Sequence, residues 1–278
     1  MDAAKTIRKP FILTVPHSGE QVPDEASWLL GLEETVLMCD VDRYVDQLYK
    51  GIVEELQIPH VYAQWHRYAV DLNRWADDVD QDSVMDSQHP SGSFARGLHW
   101  VITTKGQRLM PKPMTRELHD VLVEKYFEPF HVAVRKSFAD CKKAGASNVY
   151  HLDAHSMPSL GTKEHRDPGQ YRSDVVISDC DGQSCSRDFL DLVVESYRSA
   201  GLNVAINWPY GGGRVTETYG HPDRGQHSIQ VELNRALYMN EENKKLIPEK
   251  KNLLEAKIKM AIEKIYSSLP DMPSVPHS

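Results

Sequence analysis

The sequence predicts a single α/β domain built on a mixed, mostly parallel central sheet flanked by helices. Three observations predict it. Short apolar runs rich in β-branched residues alternate with longer segments of helical periodicity, the pattern of a sheet whose strands are joined by helices. The 278 residues are enough for one large domain or two small ones, and no internal repeat is visible. Hydrophobic residues make up 40% and charged residues 26%, the balance of an ordinary globular chain.

The elements follow in order. Phe11 to Val15 is a compact apolar run cut off by Pro16, and reads as a buried strand. Val41, Val45, Leu48, Ile52 and Leu56 recur at helical spacing, so a helix is expected over 37–56. His60 to Trp65 and Arg67 to Leu72 read as two short strands, paired as a hairpin. Residues 77–107 are mostly polar, with Gly92, Gly97 and Gly106 among them, and so long a loop reads as a lid or rim over a site. Arg116 to Lys143 reads as one long helix, kinked or broken at Pro129. Strands are expected at 148–153 and 174–178, then a helix over 187–199. Further strands follow at 202–208 and 227–233, with the glycine-rich stretch from Gly211 to Gly220 between them. Glu249 to Ser267 reads as a charged helix with Pro248 at its start, where a missing N–H costs little. Residues 1–269 thus form the domain, and 270–278, with three prolines, a flexible tail.

Composition narrows the function. Lys and Arg total 32 against 40 Asp and Glu, a formal charge of -8, which argues against a nucleic-acid partner because an anionic body repels a phosphate backbone. No apolar run approaches the ~20 residues that span a bilayer, so no membrane partner is expected. Met1 to Lys5 lacks the apolar core of a signal peptide. Cys39, Cys141, Cys180 and Cys185 form no C-x-x-C pair and read as buried free thiols, in a cytoplasmic protein. The oligomeric state is not legible.

Two predicted strands are followed by a histidine able to bind a metal, His17 and His155. A catalytic zinc takes three protein ligands at ~2.0–2.2 Å, so these two plus one carboxylate meet the count. Glu20, Asp40 and Asp42 are the candidates, Glu20 through a His-x-x-Glu spacing from His17. Asp153 beside His155 reads as the partner that orients its ring. Glu232 sits in an otherwise apolar strand, where a carboxylate is costly to bury unless paired or functional; an alternating strand with Gln230 and Glu232 facing solvent is the other reading. Arg67 and Arg74 flank a short apolar segment, and Asn73 with Arg74 could clamp a substrate carboxylate. Gly211-Gly212-Gly213 lacks the Gly-Lys-Ser/Thr of a phosphate loop.

Several segments come in a telling order: Pro16-His17-Ser18-Gly19, Asp40-Val41-Asp42 with Asp46-Gln47-Leu48-Tyr49, Arg67-Tyr68 running to Asp71-Leu72-Asn73-Arg74, and Tyr126 to His131. Asp153-Ala154-His155-Ser156, Gly212 to Thr216 with Tyr219-Gly220, and His227 to Glu232 complete the series. From about Phe11 to Met239 the chain resembles the N-formylglutamate amidohydrolase family, which is similar to the zinc carboxypeptidases and the aspartoacylase group. The resemblance implies one Zn2+ per chain, another divalent metal being the alternative. His17 would be the first ligand and His155 the last, with Asp42 between them, Asp40 close behind it and Glu20 as the carboxypeptidase-like alternative. It also implies Glu232 as general acid and base, Arg67 as the group polarising the scissile carbonyl, and Asn73 with Arg74 as carboxylate anchors. Gly212, Gly213, Thr216 and Tyr219 would line the pocket. The activity implied is hydrolysis of N-formyl-L-glutamate, a small acidic N-acyl amino acid, to formate and L-glutamate. The alternatives are hydrolysis of another N-acyl amino acid or a peptide C-terminus, and a catalytically silent binding protein on the same fold.

Overall fold

The computed structural model describes residues 9–272; the N-terminal reading at 1–5 and most of the expected tail, 273–278, lie outside the described residues. The sheet has six strands: β1 (Phe11–Val15), β2 (His60–Tyr62), β3 (Val149–Met157), β4 (Val175–Ser178), β5 (Val204–Ile206) and β6 (Gln226–Asn234). Their spatial order is β2-β1-β3-β6-β4-β5. Every neighbouring pair is parallel except β4 against β6, so the sheet is mixed and mostly parallel. Among the described residues seven α-helices accompany it: α1 (Glu34–Leu37), α2 (Val45–Leu56), α3 (Arg116–Leu122), α4 (Glu128–Lys143), α5 (Arg187–Ser199), α6 (Arg214–Tyr219) and α7 (Pro248–Ser268). None among the described residues is long and apolar enough to cross a membrane.

Strands covered on both faces need side chains that tolerate burial in both directions, which is why β1 reads as an unbroken apolar run; all five of its residues are buried. One face carries α2, α5 and α7 against Leu13, Leu152, Ile177 and Val231. The other carries α4 and the chain from Tyr68 to Met114 against Ile12 and Val149. All four cysteines are free, as their spacing suggested.

The structure departs from the sequence reading in four places. The expected hairpin is absent: β2 ends at Tyr62, and Arg67–Leu72 forms turns, with Ala69 N–H donating to His66 O. The apolar run there is buried by packing under the sheet rather than by joining it, as Tyr68 and Ala69, both inaccessible, attest. The helix expected over 37–56 is split, because residues 38–44 leave helical geometry, with Tyr44 at φ 71°, to carry Asp40 and Asp42 inward. The long helix of 116–143 is continuous but widens into a π-turn at Val123–Phe127, just before Pro129, whose missing N–H and ring crowd the preceding turn. At the C-terminus, the start of the expected flexible tail is tied down: Lys9 pairs with Asp271 at 2.9 Å and Met272 packs on the core.

Buried histidines make this fold acid-sensitive. Burial pushes His66, His131 and His151 down to about 4 and His99 to about 3. Below pH 6.5 the unfolded chain takes up protons at these rings and the folded chain does not, so stability is full above 6.5 and declines as pH falls toward 4. The slope is about 1.4 kcal/mol per pH unit for each ring. His155, whose pKa is raised, and Glu232, pushed up to about 7, work in the opposite sense but are two groups against these four. The urea midpoint should therefore drop steeply between pH 6.5 and 4.5; a level profile across that window would contradict the assignment.

Candidate active site

The carboxyl ends of β1, β3 and β6 lie side by side, and the ladder decides which side chains meet there. His155 and Glu232 are register partners on parallel strands, and His17 follows β1 by two residues. Residues two apart on a strand share a face. Asp153 therefore lies beneath His155 and accepts from its Nε2 at 2.9 Å, and Gln230 lies beneath Glu232 and donates to its Oε1 at 2.8 Å. β3 runs on to Met157, so His155 sits within the strand rather than beyond its end.

His17 and His155 face each other with their Nδ1 atoms 3.1 Å apart. Asp42 places Oδ2 3.0 Å from Nδ1 of His155 and 3.5 Å from Nδ1 of His17. It is brought there by the non-helical segment after α1, whose Asp42 N–H donates to His17 O. Behind the cluster every group is held. His17 Nε2 donates to Asp71 Oδ1 at 2.7 Å. Asp71 also accepts from Arg67, from the Trp100 indole and from the Asn73 N–H. The second oxygen of Asp42 accepts from Arg235 at 2.9 Å.

Charge within this buried cluster is strongly biased. Burial opposes ionisation of Asp42, but hydrogen bonds from His155 and His17 hold its carboxyl well below the usual range. Burial likewise opposes a charged His155, and the carboxylates of Asp153 and Asp42 outweigh it, raising its pKa well above that of a free imidazole. Burial pushes Glu232 up to about 7; Asp42 adds to this, while His155, Arg235 and Arg67 resist it. The cluster thus demands a positive charge at its centre.

A divalent cation fits that demand. Both far imidazole nitrogens are committed to carboxylates, the arrangement that orients metal-bound histidines and leaves the near nitrogens as ligands. The separations of 3.0, 3.1 and 3.5 Å match the edges of a tetrahedron with arms of about 2.0–2.1 Å. Among the described residues, His17, Asp42 and His155 form the one group of this kind.

The other expected residues divide. Glu20 does not join the cluster: Arg43 binds it through two N–H groups, and it is partly exposed. Asp40 lies on the cavity wall with its carboxylate taken by Tyr68 and Thr104. Arg67, Asn73, Arg74, Gly212, Gly213 and Glu232 line one cavity of about 280 Å³ with the cluster. Gly213 has no alternative, since a Cβ there would lie 2.2 Å from the Asn73 amide. Thr216 and Tyr219 do not line this cavity. Thr216 is inaccessible and reaches back to Asp153, and Tyr219 is packed in the core against His131 and Phe138. The 77–107 segment supplies Arg96, Trp100 and Thr104 to the cavity rim. Sequence reasoning missed the roles of Asp71 and Arg235. Asp71 is four residues from Arg67, a helical spacing concealed by the strand expectation; Arg235 directly follows β6 and carries no signal.

A family model described as N-formylglutamate amidohydrolase matches residues 9–239. The chain belongs to the N-formylglutamate amidohydrolase family. A protein of Pseudomonas aeruginosa named N-formylglutamate deformylase is 28% identical over 241 residues, covering 84% of each chain. One of the same name from Pseudomonas putida is 26% identical over 235 residues, covering 84% of this chain and 83% of its own. The crystal structure of an N-formylglutamate amidohydrolase from Ralstonia eutropha JMP134 shares the fold, with a TM-score of 0.81 at 24% identity over 94% of this chain and 95% of that one. This chain is accordingly an amidohydrolase.

Arg235 is buried and donates to Asp42, to the Ser156 hydroxyl and to the main-chain carbonyls of Cys39, Asp40 and Ser156. Removing one partner of a buried ion pair strands the other. Arg235→Met in this amidohydrolase should cost about 3–5 kcal/mol of stability, read from urea unfolding; a loss below about 1 kcal/mol would mean that Asp42 is not held by this arginine.

Proposed function

We propose that this amidohydrolase cleaves N-formyl-L-glutamate to formate and L-glutamate, using one divalent cation, zinc, held by His17, Asp42 and His155. The observation that carries the reading is the buried pair of facing imidazoles with Asp42, set beside the carboxylate of Glu232. The names of the Pseudomonas relatives support the substrate.

A zinc ion held there would acidify a water and polarise the formyl carbonyl. Glu232, poised near neutral pH by its burial, takes a proton from the attacking water as the oxygen bonds to the formyl carbon. The same carboxyl then gives that proton to the glutamate nitrogen as the carbon–nitrogen bond breaks. Arg67 is locked by Asp71 and by Asp40 O, which leaves one N–H on each terminal nitrogen to donate to the oxyanion. Asn73 uses Oδ1 to accept the Val215 N–H, which turns its Nδ2 donors toward a substrate carboxylate beside Arg74.

His155→Ala should lose bound metal together with formate release, measured by elemental analysis and a formate assay. Glu232→Gln should keep the metal and lose turnover by about 100-fold or more. Near-normal turnover in Glu232→Gln would reassign the base, and wild-type metal content in His155→Ala would remove that ring from the ligand set. Formyl-, acetyl- and succinyl-glutamate compared on the wild-type enzyme test the acyl group, with the formyl compound expected to be fastest.

A further inference from the structure

Four arginines line the cavity, and two are already mated. Arg67 is paired with Asp71 at 2.8 Å and Arg235 with Asp42 at 2.9 Å. Arg74 donates from Nε to Arg96 O and from Nη1 to Asn73 O, and among the described residues it makes no ion pair. Arg96 has only a loose one: Nη1 and Nη2 lie 3.4 and 3.5 Å from Glu164 Oε2, and both side chains are partly exposed at the rim. Arginine–carboxylate bonds are ordinarily about 2.7–2.9 Å, so this pair is stretched and solvated, and such pairs hold weakly. The Arg96 main chain, by contrast, is fixed. Its carbonyl accepts from Arg74 Nε at 2.9 Å, and the residue bridges Trp100 in antiparallel fashion. A firmly placed backbone with a loosely tied guanidinium suits a residue that exchanges one anion for another.

Building on the proposed hydrolysis, the geometry points to Arg96 as the residue that selects a second carboxylate, the side-chain carboxylate of an acidic N-acyl amino acid, in place of Glu164. Arg74 with Asn73 takes the α-carboxylate. The bond from Arg74 to the Arg96 carbonyl couples the two anchors, so they meet a dicarboxylate at a set spacing. A substrate with a neutral side chain leaves Arg96 with Glu164 and gains nothing from it. Specificity for an acidic residue therefore resides in the 77–107 rim, while the chemistry resides at the strand ends.

The test compares N-formyl-L-glutamate with its neutral isostere N-formyl-L-glutamine. Wild-type kcat/KM should favour glutamate by about 10- to 100-fold, the range for one charge-assisted bond. Arg96→Met should bring that ratio to within about threefold of one, mainly by raising KM for the glutamate compound. Glu164→Gln removes the competing anion and should lower that KM. Calorimetry with the products should follow suit, L-glutamate losing affinity in Arg96→Met and L-glutamine holding its own. An unchanged ratio in Arg96→Met, no wild-type preference for glutamate, or a raised KM in Glu164→Gln would overturn the assignment while leaving formyl hydrolysis intact. A wild-type enzyme inert toward both compounds would instead overturn the proposed function, and this assignment with it.

Discussion

The arrangement depends on one buried electrostatic constraint: two imidazoles and a carboxylate within 3.5 Å of one another, shut away from water. Left alone, such a cluster would rearrange or take up a proton. Here each ring is locked from behind by a separate carboxylate, Asp71 for His17 and Asp153 for His155. Arg67 and Arg235 in turn hold Asp71 and Asp42. The anions exceed the cations around the centre, and that imbalance favours a metal ion over an empty site.

The fold supplies this constraint cheaply in sequence terms. Parallel β1, β3 and β6 end at one edge, so residues 17, 155 and 232 converge without any special loop between them. The pleat adds the supporting groups, because Asp153 and Gln230 sit two residues before His155 and Glu232. Loops do the remaining work: the break between α1 and α2 delivers Asp42, and the turns after β2 deliver Arg67, Asp71 and Asn73. A rigid sheet holds the reacting groups, and the rim segments decide what reaches them.

Much of this was legible in the sequence. Strand-end histidines and an acid inside an apolar strand are visible as residue types in the wrong surroundings, which is why His17, His155 and Glu232 stand out in the sequence. The residues alone do not separate Asp42 from Asp40, and the resemblance puts Asp42 only narrowly ahead; in the fold the Asp42 carboxylate lies against the imidazoles while that of Asp40 is taken by Tyr68 and Thr104. Glu20 looked plausible because spacing alone ignores Arg43, a competitor remote from His17 in sequence but close in space. Thr216 and Tyr219 are next to cavity-lining glycines, yet α6 turns both of them into the interior. The run at 67–72 reads as a strand because burial is legible in sequence while the choice between ladder and packed turn is tertiary.

Whether one cation is shared by His17, Asp42 and His155 is decided by X-ray absorption at the zinc edge of the loaded protein. The expected spectrum has a first shell of nitrogen and oxygen alone at about 2.0–2.1 Å, with the outer scattering of two imidazoles. A sulfur shell near 2.3 Å, or the outer scattering of one imidazole or none, would contradict it.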